Sequence, residues 1–160
     1  MKPLIVYYSL EGHTRFIADT LAKQLDADQF ELKPQKEFPT GGFRKFFWGG
    51  KSVLLNEKPP LTNETIVLEN YDPIFLGTPI WASSYAPPIT TFLSTYEIRG
   101  KRLAFFACSS GGNAKRCWEK LQKALGGQNT ILGTIDFVDP KPEESPEIES
   151  RVSGWLSEIL

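Results

Sequence analysis

Five short stretches, "LIVYY", "FELK", "IFLG", "LAFFA" and "ILGTIDFV", read as strands, and a helix-compatible segment separates each from the next. This alternation is the strongest constraint on the fold. Parallel strands need long crossovers, and crossovers of this length are helical, so the chain must form a parallel sheet covered by helices on both faces. The strands are expected at Leu4–Tyr8, Phe30–Lys33, Ile74–Gly77, Leu103–Ala107 and Ile131–Val138. Ile17, Leu21 and Leu25, with Ala18 and Ala22 beside them, form the apolar stripe of the first helix. Pro87 and Pro88 open a helix carrying Ile89, Phe92 and Leu93. Asn113 is the expected N-cap of another, with Ala114, Cys117, Trp118, Leu121 and Leu125 inward and Gly126-Gly127 closing it. Ser145-Pro146 starts the last, which buries Ile148, Val152, Trp155, Leu156 and Ile159.

Strand composition also orders the sheet. Strands buried on both faces read as continuous apolar runs, whereas edge strands tolerate alternation. "LIVYY", "IFLG" and "LAFFA" are continuous; "FELK" and the end of "ILGTIDFV" alternate. Strands one, three and four are therefore central, which predicts a three-layer, doubly wound α/β fold with five parallel strands in the order 2-1-3-4-5. The alternative 3-2-1-4-5 would bury strand two. In the preferred order the topological switch falls between strands one and three, so a ligand belongs on "SLEGHT" and "GTPIWASSYAPP".

Composition narrows the class. A chain of 160 residues that is 41% hydrophobic and 12% aromatic is expected to form one domain, residues 1–160, with a substantial core. A net charge of -1 argues against nucleic acid, which needs a basic excess. No apolar run approaches the ~20 residues that span a bilayer, and "MKPLIVYYSL" turns polar too early for a signal peptide, so a soluble cytoplasmic protein is the expectation. Cys108 and Cys117 form neither a disulfide framework nor a CxxC pair, and a single histidine makes zinc improbable. The sequon at Asn63 means little without secretion.

The first loop is the chemical signal. Ser9-Leu10-Glu11-Gly12-His13-Thr14 runs from a strand into a helix, whose free N–H groups and dipole favour an anion. Ser9 and Thr14 add hydroxyls, and Gly12 permits close approach; a simple capped helix explains the same residues. Two other readings fail. In "WGGKS" the pattern GxxxxGK[ST] requires a glycine at 45, which is Lys45. A phospho-receiver site requires an acidic pair after strand one and an aspartate ending strand three, where this chain has Ser9 and Gly77.

These six residues resemble the flavodoxin phosphate loop, Ser/Thr-x-Thr-Gly-Asn-Thr, at Ser9, Gly12 and Thr14, and depart from it at Glu11 and His13. "GTPIWASSYAPPITTFL" and "FFACSSGGNAKRCWEKL" are similar to the second and third flavin loops of the same family, so the resemblance spans the chain. It is strongest to short flavodoxin-like proteins without a long insertion in strand five. It implies non-covalent FMN held by Ser9, Leu10, Glu11, Gly12, His13 and Thr14, by Thr78, Pro79, Ile80, Trp81, Ala82 and Tyr85, and by Cys108, Ser109, Ser110, Gly111 and Gly112. Glu11 must then turn outward, since a carboxylate facing a phosphate dianion is repelled. Trp81 is the expected stacking residue, with Tyr85 second. Trp48 is a further candidate, on a segment that would bury Phe43, Phe46 and Phe47. The third loop lacks an aromatic, which leaves one flavin face open or covered by another element, and Cys108 reads as a small buried residue.

Two activities fit this resemblance. One is an electron carrier that docks on a redox partner protein. The other is a small reductase passing electrons from NAD(P)H to a quinone or similar acceptor. A relative that has lost flavin, with Glu11 as the lesion, is the third reading. Monomer and homodimer both remain open.

Overall fold

The computed structural model describes residues 1–40 and 42–160, without the side chains of 42–47. The expected burial of Phe43, Phe46 and Phe47 thus lies outside the described residues. The chain runs β1 (Lys2–Tyr7), α1 (His13–Leu25), β2 (Asp28–Glu31), α2 (Gly42–Leu54), β3 (Tyr71–Trp81), β4 (Ser84–Tyr85), α3 (Pro87–Thr95), β5 (Arg102–Ser109), α4 (Lys115–Leu125), β6 (Thr130–Val138) and α5 (Ser145–Ile159).

The sheet has the order β2-β1-β3-β5-β6, all parallel, with β4 pairing antiparallel to the end of β3. Apart from the two-residue β4, this is the predicted order. The interior of β1, β3 and β5 is buried on both faces, while β2 and β6 are only partly covered. Continuous apolar runs thus mark the centre because their side chains have protein on both sides.

One face packs Ile5, Tyr7, Phe75, Ala104 and Phe106 under α1 and α5, through Ile17, Leu21, Val152 and Trp155. The other packs Leu4, Val6, Ile74, Leu76, Leu103 and Phe105 under α3 and α4, through Ile89, Phe92, Cys117 and Leu121. β6 runs through nine residues, with one register shift against β5 that leaves Leu132 unpaired between Ile131 and Gly133.

β2 starts two residues earlier than the alternation suggests. Asp28 accepts hydrogen bonds from Lys2 Nζ at 2.6 Å and Tyr71 Oη at 2.8 Å, which anchors Asp28 opposite Leu4. At the other end Asn63 accepts from the Lys33 amide at 2.8 Å and donates to the Glu31 carbonyl at 2.6 Å. The sequon asparagine thus closes the strand with both ends of its amide.

Close packing is tightest between β3 and β5. Gly77 pairs with Phe106, and a Cβ on Gly77 would stand 2.0 Å from Phe106 Cζ. The ring occupies the space a side chain would need, in a core with no room to yield. Gly77→Ala should therefore destabilise the protein by about 1–3 kcal/mol through overpacking. Thermal unfolding followed by circular dichroism should show a Tm lower by roughly 2–4 °C per kcal/mol. An unchanged Tm would mean that the ring has an alternative place.

Candidate functional site

The loops after β1, β3 and β5 rise from the carboxyl ends of the central strands and enclose a cavity of about 320 Å³. Parallel strands point the same ends upward, so three distant segments of sequence meet there.

In the first loop, Ser9 Oγ accepts hydrogen bonds from the amides of Gly12 and Arg15, each at 3.1 Å. Both accepting positions of the hydroxyl are filled, and its O–H remains to donate. Gly12 takes φ 100°, a left-handed conformation suited to glycine, and its carbonyl accepts from Phe16 N at 2.9 Å. α1 thus begins at His13, with the His13 and Thr14 amides in the first turn, where a helix offers no internal acceptor. Thr14 is 1% exposed, and its side chain pulls the Cys108 thiol pKa down against the larger effect of burial. Glu11 borders the cavity as a solvent-exposed residue.

The second loop is a hairpin. Ile80 pairs with Tyr85 and Trp81 with Ser84 across Ala82 and Ser83, at φ 47° and 60°. Positive φ at both central residues is the signature of a type I′ turn, which here lacks the usual glycine or asparagine. Pro79, Ile80, Trp81, Ala82 and Ser83 line the cavity. Thr78 does not: it is 1% exposed, and its hydroxyl accepts from Ala86 N at 2.9 Å and donates to the Pro79 carbonyl at 2.8 Å. That hydroxyl secures the hairpin to the start of α3. Tyr85 also lies off the cavity, packed on the core at β4. Burial first, then the nearby Cys117, raises its phenol pKa. Tyr85 and its cross-strand partner Ile80 both pack against the core cluster beneath the hairpin. Trp81 stands edge-on to Tyr8 (centroids 5.9 Å, 88°) and to Phe38 (5.1 Å, 74°) while bordering the cavity.

In the third loop, Ser109 Oγ accepts from Gly112 N at 2.9 Å, with Gly112 at φ 75°. Cys108, Ser109, Ser110, Gly111 and Gly112 line the cavity, as does Asn113, which does not cap α4. That cap position belongs to Ala114, whose buried side chain enters the core and leaves Asn113 on the cavity side. Ser110 Oγ donates to Asp139 Oδ1 at 3.0 Å, and His13 Nδ1 lies 4.0 Å from the same oxygen. Asp139 N in turn donates to the Ser109 carbonyl at 3.0 Å, so the loop after β6 braces the third loop against the first.

Of the expected residues, Gly12, Thr78 and Tyr85 do not line the cavity; the other fourteen do. Ser83 and Asn113, within the expected loops but not singled out, also line it, as do Gly50 and Asp139 from outside those loops. Asp139 had a legible signal, an Asp-Pro step at a strand's carboxyl end. Trp48, read as a possible cover, is 38% exposed beneath Lys51 Nζ and is not among the lining residues. "WGGKS" lies within α2, which no P-loop does. Among the described residues the lining includes no lysine or arginine, and no group of histidine, cysteine or carboxylate side chains could hold a metal.

The family model described as Flavodoxin matches residues 2–139. A flavoprotein from Lactobacillus acidophilus, solved in complex with FMN, is 24% identical with a TM-score of 0.76, over 97% of this chain and 98% of its own. The apo form of a flavoprotein from the same organism, solved by NMR, is 25% identical with a TM-score of 0.67, over 92% and 96%. A protein from Bacteroides uniformis assigned as a flavoprotein is 23% identical with a TM-score of 0.81, over 98% and 97%. No curated protein matches the chain.

Two outcomes follow from this geometry. Ser9→Ala leaves two amides without their acceptor and should cost about 0.5–2 kcal/mol in denaturant unfolding, as loss of a helix cap does. Burial, partly opposed for Cys108 by the Thr14 hydrogen bond, raises both thiols from 9.0 to about 12. A raised folded-state pKa means stability is full below 9.0 and falls as pH climbs towards 12. At pH 8 both cysteines should resist iodoacetamide in the native protein and react once it is unfolded, as counted by mass spectrometry. Rapid native labelling of either would contradict this assignment.

Proposed function

The chain belongs to the flavodoxin family, and on that premise we propose that it binds FMN in the cavity above β1, β3 and β5 and acts as an electron carrier. The observation that carries this reading is the convergence of three loops on one cavity. That cavity has helix-start amides at one side and Trp81 as its only aromatic among the described lining residues.

The donor set fits a phosphate monoester. The His13 and Thr14 amides, the Ser9 O–H and the positive end of α1 supply donors without a cationic side chain. Each hydrogen bond to a charged oxygen contributes roughly 1.5–3 kcal/mol, so a few suffice. The two nearby carboxylates oppose the anion less than their number suggests. Glu11 is exposed to screening water, and Asp139 is engaged by Ser110 and faces His13. Trp81 would lie against the ring, and the apolar side chains of Leu10 and Ile80 would keep water from it. FMN supplies the redox chemistry when bound. Packing against Trp81 and exclusion of water both disfavour added negative charge on the cofactor, which lowers its potential.

A second reading rests on a separate observation. The wall formed by residues 108–113 contains no aromatic side chain. A nicotinamide must stack on a flavin ring to deliver hydride, and an uncovered wall suits a small NAD(P)H-dependent reductase of quinones or similar acceptors. The carrier instead requires a redox partner protein. No helix among the described residues is long and apolar enough to cross a membrane.

FMN added to the purified protein should survive desalting, with its visible bands present and its fluorescence quenched. Trp81→Ala should weaken retention by about two- to tenfold, the range of an aromatic contact. A protein that stays colourless would end the FMN reading. Steady-state NAD(P)H oxidation with several acceptors then divides the two activities: turnover identifies the reductase, and its absence the carrier.

A further inference from the structure

Gly49 and Gly50 of "WGGKS" fall in the interior of a 13-residue helix, where glycine is the poorest former after proline. Such a pair helps only where something must come closer than a Cβ would allow. At Gly49 that neighbour is Trp81. A Cβ on Gly49 would stand 3.3 Å from both Cδ2 and Cε3 of the indole and 3.6 Å from Cγ. Gly50, one residue on, lines the cavity. Among the described residues α2 meets the site at these two glycines, one against the indole and the next on the cavity wall.

The indole has little freedom elsewhere. Tyr8 holds it edge-on at 5.9 Å and Phe38 at 5.1 Å, and Tyr8 is itself only 1% exposed. Among the described residues Trp81 has α2 on one side, two aromatic rings on others, and the cavity at its border. A methyl group on residue 49 would push the indole that way by a few tenths of an ångström.

We propose that Gly49 is a positioning residue for Trp81: its missing Cβ sets how far the indole stands into the cavity, and hence how it meets the ring of bound FMN. The consequence for FMN rests on the function proposed above; the packing of Gly49 on Trp81 does not. Gly49 touches no ligand in this scheme and acts only through the indole.

The test compares Gly49→Ala, Trp81→Phe and the double variant. Gly154→Ala, on the exposed side of α5 with nothing within 4 Å of its Cβ, controls for the general effect of alanine in a helix. In FMN-free protein, Gly49→Ala should change the near-ultraviolet circular dichroism contributed by Trp81, defined as the part that Trp81→Phe removes. FMN titration should show affinity about tenfold weaker for Gly49→Ala, yet less than twofold further loss when Gly49→Ala is added to Trp81→Phe. An unchanged dichroism in Gly49→Ala, or losses that simply multiply in the double variant, would overturn the proposal. If Gly49→Ala does not fold, Trp81→Phe must restore folding, and failure to do so overturns it equally. If the unaltered protein takes up no FMN, the cofactor assignment fails, and the dichroism of the FMN-free variants still decides the positioning role.

Discussion

Burial of β1, β3 and β5 on both faces is the constraint from which the rest of the structure descends. A strand with protein above and below cannot carry polar groups along its length, so the polar chemistry is displaced to its ends. Parallel pairing then puts the ends of all three strands on the same edge. The contact of Phe106 with Gly77 shows how closely those strands are tied together. Loops separated by about 70 and 30 residues of sequence thereby come within reach of one cavity.

Two of these loops solve the same local problem in the same way. Ser9 accepts the amide of Gly12, and Ser109 accepts the amide of Gly112, three residues on in each case. Both glycines adopt positive φ, at 100° and 75°. A serine at a strand end thus closes a small turn, and the glycine lets the chain reverse into the next segment. The second loop uses a hairpin instead, held by the Thr78 hydroxyl. In each case a buried or half-buried hydroxyl accepts from a nearby backbone amide, which fixes the cavity wall through the chain's own bonds.

How much of this was legible in the sequence follows from which signals are local. Strand order was legible because double burial leaves a compositional mark over four or five residues, as in "LAFFA". The first loop was legible because Ser9, Gly12 and Thr14 are close in sequence. The end of β2 was not, since Asn63, more than 30 residues away, closes it. The position of Tyr85 on the core was not legible, because its hairpin has Ala82-Ser83 at its apex, not the Asn-Gly or Asp-Gly that announces such turns. Asn113 looked like a cap by residue type, but burial of Ala114 moved the helix start by one position. Gly50 reaches the cavity only through tertiary packing of α2.

The Ala82-Ser83 apex has a kinetic side. Two side-chain-bearing residues in the left-handed region cost about 1–2 kcal/mol each, an expense met by the buried strands below. The hairpin is held in shape by its own contacts: Trp81 pairs with Ser84, and Thr78 tethers the start of α3. A ligand entering beside it meets a wall tied down by those contacts, so ordering entropy falls on folding more than on the encounter. Association at such a wall is governed by diffusion and orientation, and differences in affinity between related ligands are expressed in how slowly they leave.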